Sequence, residues 1–118
     1  MPRLTLRHSN NLIDNYDKIQ LFKELHDYLI KTKHFGNIND IKSTIEEKWY
    51  YLGDGDLDNV FITLELKILS GRSDEVKREL SSGALEILKN HFQLSIRNRK
   101  ANVTCFVSEI DKVGYSKI

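Results

Sequence analysis

Residues 60–73 read Val-Phe-Ile-Thr-Leu-Glu-Leu-Lys-Ile-Leu-Ser-Gly-Arg-Ser. Ile62, Leu64, Leu66 and Ile68 alternate with Phe61, Thr63, Glu65 and Lys67. This is the period-two pattern of a strand with one buried face. Ser70-Gly71-Arg72-Ser73 breaks the alternation. Ser73 then has the character of a helix N-cap, and Asp74 and Glu75 follow where the helix dipole favours anions. A strand that turns through a tight loop into a capped helix is the first two-thirds of a β-α-β unit.

Downstream, Val76, Leu80, Ala84, Ile87 and Leu88 recur at helical spacing and predict a second helix ending near Arg97 or Arg99. Val103, Cys105 and Val107 alternate in a last strand. Upstream, residues 2–8 alternate with Leu4 and Leu6 on one face. From about Asp14 to Lys33 the period is helical, with a stripe of Phe22, Leu25 and Leu29 flanked by Leu21 and Tyr28. Asp14 or Asn15 is the expected cap, and Gly36 lies past the end. Residues 38–52 return to period two, with Ile41, Ile45, Trp49 and Tyr51 opposite Lys42, Thr44, Glu46 and Lys48. That parity assigns Trp49 and Tyr51 to the core. The cluster Trp49-Tyr50-Tyr51 also suits a pocket wall or a subunit interface. Gly53-Asp54-Gly55-Asp56 marks a turn.

The order is β-α-β-β-α-β, an α/β (α+β) arrangement of two similar halves with no linker, expected as one domain over residues 1–118. It fits both a ferredoxin-like sheet and a double β-α-β sheet. With 118 residues and about four strands, one face or edge of the sheet needs cover, so self-association is expected.

A net charge of +1 gives no global basic field, and no nucleic-acid partner is expected. Cys105 is the only cysteine, which suits a reducing, cytoplasmic setting and reads as a small buried hydrophobe. No signal-like h-region and no apolar run of transmembrane length is present, so no membrane partner is expected. The sequon Asn102-Val103-Thr104 is a chance match without a secretory signal. Asp54, Asp56, Asp58 and Glu65 match calcium-loop positions, but Asn59 stands where the loop needs glycine, and a strand follows where a helix should. His8, His26, His34 and His91 lack metal-ligand spacing and read as surface or boundary residues. No metal and no organic cofactor is expected.

Two segments separate the fold alternatives. Met1-Pro2 runs into a strand and then Arg7-His8-Ser9-Asn10-Asn11-Leu12. Leu66-Lys67-Ile68 is followed by Gly71-Arg72-Ser73, a helix, and Ile87-Leu88-Lys89-Asn90-His91-Phe92. Together they resemble the 5-carboxymethyl-2-hydroxymuconate isomerase family of the tautomerase superfamily. The resemblance spans nearly the whole chain, is strongest over 61–92 and is weak after 100. It implies a double β-α-β fold with a four-stranded mixed sheet, two helices on one face, and a homotrimer. It implies a role in aromatic catabolism: isomerisation of an enol or dienol carboxylic acid, with Pro2 as the catalytic base once Met1 is removed.

The chemistry of those residues fits. A free α-amine titrates near ~8 in model compounds, and burial or nearby cations lower that value. Such an amine is a competent base near neutrality, and its conjugate acid returns the proton. Arg72, by the same resemblance, binds the substrate carboxylate, a task suited to the planar guanidinium. Lys42 is the second substrate-binding candidate. The family has an Ile-Arg-Ser-Arg stretch where this chain has Ile41-Lys42-Ser43-Thr44, so one cation becomes lysine and another is lost. A smaller or singly charged acid is the expected substrate. The non-enzymatic alternative is a tautomerase-fold or ferredoxin-like binding module, for which Phe61 and Phe106 are the available strand aromatics. No Lys/Arg-Gly-Phe/Tyr motif accompanies them.

Overall fold

A computed structural model describes all residues, 1–118. The elements are β1 (Arg3–Ser9), α1 (Lys18–Lys31), β2 (Lys42–Lys48), β3 (Asn59–Leu69), α2 (Asp74–His91), α3 (Gln93–Asn98) and β4 (Lys100–Ile110). Short 3-10 turns lie at Ile38–Asp40 and Lys112–Gly114.

The four strands form one sheet in the order β2-β1-β3-β4. β1 runs parallel to β2, β3 parallel to β4, and β1 antiparallel to β3. Each β-α-β unit therefore pairs its own two strands directly. A ferredoxin-like sheet splits each unit by inserting a strand between them. The topology thus excludes that alternative and gives the double β-α-β arrangement.

The period-two residues form one layer of the core. Leu4, Leu6, Ile62, Leu64, Leu66 and Ile68 meet Leu21, Leu25 and Leu29 of α1 and Leu80, Ala84 and Leu88 of α2, all fully buried. Both helices thus cover the same sheet face. Each such aliphatic side chain contributes about 1.5–3 kcal/mol by leaving water. The helices also touch one another: the Tyr28 hydroxyl donates to the Glu79 carbonyl at 2.6 Å. A Cβ placed on Gly83 would collide with that hydroxyl, so the crossing closes over a glycine.

Several boundaries differ from the sequence expectation, each for a tertiary reason. Helix α1 begins at Lys18 and is capped by Asp17, which accepts from Gln20 N at 3.0 Å. Asp14 is drawn elsewhere: its carboxylate accepts from Leu94 N and Ser95 N at 2.9 and 3.1 Å, satisfying the start of α3. The second helix accordingly stops at His91. Phe92 leaves the helical path at φ −121° and buries its ring against Tyr16. Ser73 does cap α2, accepting from Val76 N at 3.3 Å. Leu21, rather than Phe22, completes the buried stripe of α1.

β2 ends at Lys48, so Trp49 and Tyr51 are 78% and 63% exposed rather than in the core. His8 is not a surface or boundary residue; it is 6% exposed. Asp56 and Asp58 pair with Lys100 and Arg99 in the turn region, while Glu65 sits on the sheet.

The sheet face away from the helices is polar. Arg7 lies between Glu46 and Glu65 at 3.3 and 3.0 Å, and Ser108 donates to Glu65 at 2.6 Å. The Ser108 hydroxyl, then Arg7 and Lys67, hold the Glu65 carboxyl below its ordinary value. Phe106 is exposed on this face.

Candidate active site

The strand pairing gathers the sequence candidates at one end of the sheet. Arg3 is level with Lys42 on one side and with Lys67 on the other. The starts of β1 and β2 therefore lie beside the ends of β3 and β4. Pro2 is buried there, and its carbonyl accepts from Lys42 N at 3.2 Å. A cavity of about 110 Å³ opens at this point, lined by Met1, Pro2, Arg3, Lys42, Ile110 and Tyr115. Pro2 and Lys42 are thus brought together.

The segment after β4 closes one side of the cavity. Ser70 N donates to Ile110 O at 2.8 Å, and Lys112 N donates to Ser70 Oγ at 3.1 Å. Asp111 accepts from Val113 N at 3.0 Å, which shapes the turn that delivers Tyr115. The same contacts explain Gly71. Its φ of +117° is strained for any residue with a Cβ, and the Lys112 amine already fills the space beside it.

Arg72 is not part of the cavity lining. Its Nη2 donates to the His34 carbonyl at 2.9 Å, and its guanidinium lies over the Phe35 ring at 4.6 Å. These partners belong to the loop after α1, where Lys33 takes the left-handed conformation at φ 68° that ends many helices. His34 in turn lies 3.4 Å from Glu79 on α2.

Arg3, Ile110 and Tyr115 line the cavity but carry no motif. Arg3 shares a face with Lys42 only because β1 and β2 are parallel and in this register, which is a tertiary fact. Cys105 is half-buried against the core, and burial pushes its thiol up to about 12. That rules it out as a nucleophile near neutrality. Trp49, Tyr50 and Tyr51 line a separate cavity of about 400 Å³ at the opposite end of the sheet. No helix is long and apolar enough to cross a membrane.

The fold agrees with the comparisons to known proteins. A 5-carboxymethyl-2-hydroxymuconate isomerase from Deinococcus radiodurans R1 superposes with a TM-score of 0.89 at 27% identity, over 99% of this chain and 88% of that one. A 5-carboxymethyl-2-hydroxymuconate delta-isomerase gives 0.83 at 19% identity, over 100% and 88%. A fused 4-OT described as a symmetric trimer gives 0.75 at 14% identity, over 98% and 90%, a likeness of fold. No curated protein sequence matches. The sequence pattern of 5-carboxymethyl-2-hydroxymuconate isomerases matches residues 2–118. The chain belongs to the 5-carboxymethyl-2-hydroxymuconate isomerase family, a family of isomerases with the tautomerase fold.

Proposed function

We propose that the chain isomerises an enol or dienol carboxylic acid, with the nitrogen of Pro2 as the proton carrier after Met1 is removed. The observation that carries this reading is the cavity that Pro2 shares with Lys42 and Met1. With Met1 in place, the Pro2 nitrogen is an amide without basicity. Its removal leaves a secondary amine in a half-enclosed site beside two cations. Burial and positive neighbours both disfavour the charged amine and keep it a base near neutral pH.

The reaction is a proton shift. The amine takes the proton from the enol hydroxyl or the carbon beside the carbonyl. The electron pair moves along the conjugated system, and the ammonium returns the proton to the far carbon. Lys42 stabilises the enolate charge as it develops. Arg72, at the same end of the sheet, spends one N–H on His34, and the rest of its fork is free to hold a carboxylate that extends past the cavity rim. Met1 is part of the cavity wall, so its removal enlarges the space beside Pro2.

We propose a homotrimer as the working unit, with the polar sheet faces turned inward. The support is the trimeric relative of the same fold and a sheet covered by helices on one face only.

Processing is the test of the chemistry. Protein lacking Met1, established by intact mass, is compared with protein forced to retain it, at equal oligomer content. The readout is kcat/KM for ketonisation of the enol of a small 2-oxo acid. Activity is expected only without Met1; equal rates in the two forms would falsify the proline mechanism.

A further inference from the structure

Arg3 is level with Lys42 on β2 and with Lys67 on β3, so three cations lie in one row across the open sheet face. Four residues along β1, on the same face and against the same partner strand, Arg7 is level with Glu46 and bonds it at 3.3 Å. The sheet therefore neutralises its cation at one position and sets cation against cation at the other. Like charges directly opposite each other across strands are destabilising. Lys67 finds partial relief at Glu65, 3.8 Å away. Arg3 and Lys42 form no ion pair, and they are the two that line the cavity beside Pro2. β2 offers no other cation there, since Thr44, the next residue on that face, is level with Thr5.

We propose that Arg3 is the second substrate-binding cation. With Lys42 it holds one end of the acid: the carboxylate and the oxygen on the adjacent carbon. Neighbouring strands lie about 4.8 Å apart, so the stems of the two side chains start one strand spacing from each other. From that spacing the two long side chains can converge on oxygens of adjacent carbons. The Arg3 fork takes the carboxylate in two parallel bonds, and Lys42, a compact point charge, takes the neighbouring enolate oxygen. This orientation puts the carbon chain toward Pro2. The inference rests on the cavity being the active site, and it names Arg3 as the residue that holds the carboxylate, so that Lys42 can select 2-oxo and 2-hydroxy-2-enoic acids over simple acids.

The test uses binding, so it does not depend on turnover. Full-length protein without Met1 is titrated at constant ionic strength with oxalate, which carries anionic oxygens on adjacent carbons, and with propionate, which has none beside its carboxylate. Oxalate is expected to bind at least tenfold tighter than propionate. Arg3→Met keeps the apolar stem, removes the carboxylate's partner, and is expected to weaken both acids, oxalate at least tenfold. Arg3→Lys keeps the charge without the fork and should fall between. Equal oxalate affinity in Arg3→Met and parent protein overturns the proposal, as does equal binding of the two acids by the parent. If oxalate binding depends on Arg3 while the Met1-free protein turns over no enol, the proline mechanism fails and this assignment stands. If turnover is intact and KM is unchanged in Arg3→Met, this assignment alone fails.

Discussion

The guanidinium of Arg72 lies over the ring of Phe35, 4.6 Å from Cζ to the ring centroid. Together with the bond from Nη2 to the His34 carbonyl, this locks the Gly71-Arg72-Ser73 loop of the second half to the loop after α1 in the first. Such stacking contributes about 0.5–2 kcal/mol. It also fixes the plane of the guanidinium, which on the proposed role lowers the ordering cost of binding a carboxylate.

Arg72→Ala is therefore expected to lower kcat/KM for an enol bearing a second, distal carboxylate by about 10- to 150-fold, the loss of a charge-assisted contact worth roughly 1.5–3 kcal/mol. Arg72→Lys should recover little, because lysine has neither the fork nor the flat face. The check is kinetics beside a melting curve. A fall in Tm with kcat/KM unchanged would make Arg72 a loop anchor and nothing more.

Trp49 offers a test of the proposed assembly. It is the single tryptophan and is 78% exposed in the isolated chain, 6.1 Å from the ring of Tyr51. An exposed aromatic pair beside Leu52 and Leu57 is unusual for a free surface and suits an interface. The trimer is expected to bury it. Emission at micromolar concentration should be blue-shifted and resist acrylamide, then move red on dilution as light scattering falls from trimer to monomer mass. A fully quenchable Trp49 in an intact trimer would place this patch outside the interface.

What the sequence revealed and hid follows from the range of each interaction. The strand at 60–69 and the Ser73 cap were legible because alternation and capping are local. Trp49 and Tyr51 carry the parity of a core strand because the alternation continues past Lys48 although pairing does not. β1 ends at Ser9, and the last bond of the ladder is Asn10 N to Lys48 O at 2.9 Å. Asp14 carries no local sign of its role, because its partners, the amides of Leu94 and Ser95, lie some eighty residues away. Pro2, Lys42 and Arg72 could be named from a resemblance. Arg3 could not be, since its place in the cavity depends on the β1–β2 register.

Gly83→Ala should destabilise the fold even though alanine is the better helix former by about 1 kcal/mol. The new methyl would collide with the Tyr28 hydroxyl and the ring carbon that bears it. Forcing the helices apart is expected to offset the propensity gain and leave a net loss of about 1–3 kcal/mol. Urea unfolding measures it. In a Tyr28→Ala background the same substitution should turn neutral or stabilising, and a cycle with no coupling between the two sites would mean that the helices do not cross here.

Alkaline stability tests the burial of Cys105. Burial raises its thiol from the ordinary 9.0 to about 12, so the folded chain keeps a proton that the unfolded chain gives up. The raised value means the contribution is fully present below pH 9 and is lost as pH climbs toward 12. Over that window the unfolded state binds fewer protons than the native state, and stability falls by about 1.4 kcal/mol per pH unit from this group. Lysines and tyrosines titrate in the same range, Tyr28 among them, which itself sits high because of burial, with smaller contributions from the charge of Glu79 and the Cys105 thiol. The informative quantity is therefore the difference between the parent and Cys105→Ala, measured by urea unfolding from pH 8 to 10.5. The variant should be the less stable at pH 8, having lost a packed side chain, and the gap should narrow above pH 9. Parallel curves through pH 10.5 would show that the thiol is open to water, and that β4 packs on the helices more loosely than the register of β3 and β4 requires.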